Sequence, residues 1–79
     1  MIRTLDDLRP GDRASVRGLF PGADPDAVAR LTAIGFTRGA HTRCVFAAPS
    51  GEPRAFQIRG ATVALRREDA RLVRAQKRT

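Results

Sequence analysis

Two clusters of turn residues in the middle of the chain constrain its fold more than any other feature. The first is Ile34-Gly35-Phe36-Thr37-Arg38-Gly39; the second is Ala48-Pro49-Ser50-Gly51-Glu52-Pro53. Gly35 fits the end of a helix, where a left-handed residue closes the last turn without Cβ strain. The second cluster, with its two prolines and a glycine, predicts a hairpin tip. Together they predict a short helix set into a run of short strands.

The flanking residues fill in that outline. Thr4 is placed to cap one helical turn over Leu5-Asp6-Asp7-Leu8, whose two acids complement the helix dipole. Pro10-Gly11-Asp12 makes a turn. Arg13 to Leu19 alternates, with Ala14, Val16 and Gly18 on one side and Arg13, Ser15 and Arg17 on the other, which predicts a half-buried strand. Asp24-Pro25 supplies an acidic N-cap and a proline at the first helical position, so the helix should run over 25–34. Ala40 to Ala47 reads as a strand with Thr42, Cys44 and Phe46 on one face and His41, Arg43 and Val45 on the other. Arg54 to Arg59, with Phe56 and Ile58 inward, and Thr62 to Arg66 follow as strands. Residues 67–76 fit either a helical turn or a last strand, and 76–79 should fray.

Four or five short strands with turns between them indicate a small barrel. Closure removes edges that a 79-residue chain could not otherwise cover. The expected fold is mainly β (α+β): one domain over 1–79, with about five strands, a short helix inserted after the first strand across the barrel mouth, and a C-terminal helical turn as one reading of its end.

Charge is unevenly placed. Residues 1–27 hold four Arg and five Asp, whereas residues 28–79 hold eleven of the fifteen basic residues and three acids. A basic half suits an anionic partner (nucleic acid, lipid headgroups or an acidic protein face) or a solvated surface. The absence of Trp and Tyr leaves few platforms for stacking bases, which disfavours nucleic acid. The single Cys44 cannot form an internal disulfide, and no apolar run approaches the ~20 residues of a membrane span, so a cytoplasmic location is expected, free or held at the inner face of the membrane by a partner.

Chemistry is sparse. His41 and Cys44 are the only soft-ligand pair; three residues apart on a strand, they face opposite ways. Two ligands also fall short of a structural metal site. Asp24 and Asp26 are explained as helix N-terminal acids. One His, no Tyr and glycines scattered through turns leave no nucleophile–base pair and no phosphate loop. No catalytic, cofactor or metal residue is assigned. Attention moves to the helix. Ala27, Leu31 and Ile34 share one stripe, Val28 and Leu31 an adjacent one, and Arg30 points elsewhere. A small core would not bury both stripes. Ala27, Val28, Leu31 and Arg30 are therefore the candidate partner-binding residues, with core packing as the alternative for Leu31; Ile34 is expected to face the core.

Four segments resemble ferrous iron transport protein A, the FeoA family: Leu8-Arg9-Pro10-Gly11-Asp12 before the first strand, Leu31-Thr32-Ala33-Ile34-Gly35-Phe36 at the helix end, Ala48-Pro49-Ser50-Gly51-Glu52-Pro53 at the hairpin tip, and Ala64-Leu65-Arg66-Arg67-Glu68-Asp69-Ala70 after the last strand. The resemblance runs from about Thr4 to Val73. It departs at Arg38, where the family usually has Pro, and at Thr32 and Ala33, where Leu is common. It implies an SH3-like barrel, a domain also found at the C-terminus of iron-dependent repressors. It further implies a non-enzymatic accessory role in bacterial ferrous iron uptake, in support of a FeoB-type membrane transporter with a cytoplasmic GTPase region. A basic nucleic-acid-binding barrel and a detached repressor-like interaction module are the other readings.

Overall fold

The computed structural model describes residues 2–78. Six strands form one antiparallel sheet: β1 (Ile2–Thr4), β2 (Arg13–Leu19), β3 (His41–Ala47), β4 (Arg54–Ile58), β5 (Ala61–Leu65) and β6 (Val73–Arg78), in the order β1-β6-β2-β3-β4-β5. A helix, α1 (Pro25–Ile34), follows β2; a single helical turn, α2 (Arg67–Ala70), follows β5; a 3-10 turn (Leu5–Asp7) follows β1. The short β1 was not legible as a strand, so the helix lies after the second strand rather than the first. Residues 67–76 hold both readings at once, a helical turn and then a strand. Residues 76–78, expected to fray, form the end of β6. Gln76 pairs with both Ile2 and Ser15, while Lys77 and Arg78 pair with Ala14 and Arg13 of β2. Thr79, the last residue expected to fray, lies outside the described residues.

The sheet curls because its two edges are joined by helical turns. The 3-10 turn after β1 touches α2, which follows the opposite edge strand β5. Asp6 of the 3-10 turn lies 3.8 Å from Arg54 Nε and 3.6 Å from Arg67 Nε, and Arg54 also donates to the Leu8 carbonyl. Asp7 plays the local part: its carboxylate accepts the Thr4 N–H at 3.1 Å. The hairpin tip is tied to the same corner, since the Arg67 N–H donates to Glu52 and its guanidinium donates to the Ser50 carbonyl.

One hydrophobic core fills the interior. Leu5, Leu8, Val16, Leu31, Phe36, Cys44, Phe56, Ile58 and Val73 are its fully buried larger side chains. Phe36 and Phe56 meet edge to face, with centroids 6.4 Å apart, the arrangement favoured by ring quadrupoles. Thr42 is buried without cost, because its hydroxyl donates to the Gln57 carbonyl at 2.7 Å. Phe46 departs from its expected place. A bulge between Cys44 and Phe46 shifts the register so that Phe46 pairs with Ala55, and the ring emerges 52% exposed. A bulge inserts one residue and reverses the alternation beyond it.

Candidate functional site

The inserted helix is built as its sequence requires. The Asp24 carboxylate accepts the Ala27 N–H at 3.1 Å, and Pro25 occupies the first turn. Gly35 ends the helix with φ 125°, its N–H bonded to the Leu31 and Thr32 carbonyls. The burial along α1 corrects the partner-surface expectation. Leu31 is completely buried in the core cluster and Ala27 is 7% exposed, so neither is available as a surface anchor. Ile34 packs against the core while half-buried, and Val28 is also half-buried. The two stripes meet at Leu31, which is buried, while Val28 and Ile34 remain half-buried. Arg30 is on the surface, and its guanidinium meets Asp69 of α2 at 2.8 Å. Of the four expected residues, Val28 and Arg30 alone stay at the surface, joined by exposed Asp26, Ala29, Thr32 and Ala33.

The soft-ligand pair is divided as its spacing predicts. Cys44 is buried, and burial pushes its thiol pKa up. His41 is exposed and contacts Arg78, with Arg78 Nη1 2.9 Å from His41 Nδ1. Among the described residues no three His, Cys, Asp or Glu side chains are grouped to hold a metal ion. No helix among them is long and apolar enough to cross a membrane. Asp12 is held below its ordinary pKa chiefly by the hydrogen bond from the Arg9 N–H; partial desolvation opposes it, and Lys77 adds to the lowering.

The basic side of the barrel expected from the uneven charge takes a definite form. The outer face of the sheet gathers Arg13, His41, Arg43, Arg59 and Arg78 around a groove of about 440 Å³. Alternation alone places Arg13 and His41 with Arg43 on outer faces. The register that sets Arg78, Arg13 and Arg43 side by side is a tertiary fact.

The architecture and the sequence both have relatives. A family model for the FeoA domain matches residues 3–77. No curated protein matches the chain significantly in sequence. FeoA of Stenotrophomonas maltophilia, solved in complex with zinc and described as a procaryotic SH3 domain protein, superposes with a TM-score of 0.81 at 31% identity, over 92% of this chain and 88% of that one. FeoA of Chlorobium tepidum is 32% identical with a TM-score of 0.79, over 91% of this chain and 67% of that one. A manganese-dependent transcriptional repressor shares the fold, with a TM-score of 0.86 at 24% identity over 96% of this chain and 41% of that one. The SH3-like barrel is thus common to transport proteins and to one part of a larger regulator. With the family model running almost from end to end, the chain belongs to the FeoA domain family of iron transport proteins.

Proposed function

We propose that this protein is a cytoplasmic accessory factor of bacterial ferrous iron uptake that docks on the cytoplasmic GTPase region of a FeoB-type transporter. The observation that carries the reading is the FeoA family match over residues 3–77. The surface of α1 supports a docking role. Its open side carries Arg30, whose guanidinium stays partly open to solvent while paired with Asp69, and half-buried Val28 lies on another side of the same helix. Binding there would act on the partner by favouring one of its conformational or nucleotide states, through unequal affinity for them.

The protein performs no chemistry of its own in this reading. Its one thiol is sealed in the core and its one imidazole lies against an arginine. A peptide-groove mode of the proline-binding SH3 kind does not suit it, since that groove needs aromatic walls and the chain has no Trp or Tyr. The reading is tested by titrating the protein into the isolated cytoplasmic region of the transporter, in each nucleotide state, by calorimetry. Saturable binding that differs between nucleotide states supports it; no binding in any state refutes it.

A further inference from the structure

We infer that the outer face of the sheet is a docking surface for an anionic lipid bilayer, independently of any protein partner. The register places Arg78 opposite Arg13 and Arg13 opposite Arg43, so three guanidinium-bearing residues lie in a row across β6, β2 and β3. His41 and Arg59 flank the row and line the same groove, whose lining holds no carboxylate. Like charges directly opposite one another in a sheet are unfavourable, so this row is not there for stability.

The acids that form ion pairs do so elsewhere. Asp69 pairs with Arg30, Asp6 with Arg54 and Arg67, and Asp12 with Lys77. Among the described residues, no ion pair uses Arg13, Arg43, Arg59 or Arg78. Their charge faces outward, uncompensated.

An apolar element lies on that same face. Because of the bulge in β3, Phe46 pairs with Ala55, two residues along β4 from the Gln57 that pairs with Arg43. Phe46 thus points to the side that carries Arg43, 52% exposed, with Val45 37% exposed next to it. A cationic row ending in an exposed ring and a branched aliphatic chain suits a bilayer surface. The arginines meet anionic headgroups, and Phe46 and Val45 enter the headgroup–acyl boundary. Headgroups form a continuous field, so they place no demand on spacing. Single-stranded nucleic acid would instead call for successive stacking rings, and this face offers one.

The test is co-sedimentation of the full chain with vesicles of phosphatidylcholine, with and without phosphatidylglycerol, over a range of salt. Binding should require the anionic lipid and weaken as salt rises. Arg13→Glu/Arg43→Glu should weaken it roughly tenfold or more. Phe46→Ser should reduce binding at moderate salt. Arg66→Glu/Arg71→Glu, with the same change in net charge away from the row, should bind as the parent does. Thermal unfolding by circular dichroism confirms that each variant is folded. If the double Glu variant does not fold, Arg13→Gln/Arg43→Gln replaces it with the same expected direction. Equal losses in the two double variants would overturn the inference, leaving net charge alone. Absence of vesicle binding would also overturn it. So would tight binding of an oligonucleotide that depends on Arg13 and Arg43 while vesicles bind weakly, which would give the face to nucleic acid.

Discussion

Arg30 and Asp69, 39 residues apart in sequence, meet at 2.8 Å and join the inserted helix to the helical turn after β5. The Arg30 side chain is 54% exposed, and exposed ion pairs contribute about 0–1 kcal/mol once side-chain entropy and solvent screening are counted. The pair orients the guanidinium more than it holds the fold. Arg30→Ala should therefore shift stability by less than about 1 kcal/mol in urea unfolding. It should weaken binding to the transporter's cytoplasmic region by more than that small change in stability.

Leu31 and Val28 should separate core from surface. Leu31 is completely buried, so Leu31→Ala should cost about 2–5 kcal/mol by the loss of packing and the cavity left behind. Val28 is half-buried, and Val28→Ala should cost about 1 kcal/mol or less. Equilibrium denaturation of the two variants side by side checks the difference. A Leu31→Asp variant is a poor probe of docking for the same reason: it would place a charge in the core.

Gly35 sits beneath Arg59. A Cβ on Gly35 would stand 2.9 Å from Arg59 Cδ, and the backbone there has φ +125°. Gly35→Ala should destabilise by about 1–3 kcal/mol, combining left-handed strain with the displaced arginine stem. In a double-mutant cycle Arg59→Ala should recover the steric part and leave the backbone part. Additive losses would mean that Arg59 moves aside freely.

Much of this was legible in the sequence, for local reasons. Asp24-Pro25 and Gly35 mark the ends of α1, and the Pro49–Pro53 tip separates β3 from β4. These features act within a few residues of themselves. What was hidden depends on the register. Phe46 reads as inward by alternation and is turned out by a bulge that no residue in β3 announces. Leu31 reads as a candidate anchor because sequence gives a helix two apolar stripes without saying how much core lies beneath them. Asp6 reads as a dipole acid, yet it pairs with Arg54 and Arg67 across the corner of the barrel. The row Arg78–Arg13–Arg43 joins residues from three distant segments.

Asp12 makes a pH prediction. Its carboxyl pKa is depressed by the Arg9 N–H and by Lys77, so its contribution is present above the unfolded carboxylate value of about 4. That contribution is lost as pH falls through the lower folded value. The parent should therefore lose stability more steeply with acidification below about pH 4 than Asp12→Asn does, since the amide cannot titrate. Thermal midpoints measured as a function of pH check it, and parallel curves would show that Asp12 is not coupled to folding.

The most direct measurement of the central claim is the affinity of the folded chain for the cytoplasmic GTPase region of its FeoB-type transporter, set beside that of Val28→Asp/Arg30→Glu. The account predicts saturable binding by the parent and a loss of about tenfold or more in the variant, equivalent to at least about 1.4 kcal/mol, with the fold intact. A parent that does not bind would contradict the account of function, and a folded variant that binds equally well would contradict docking through α1.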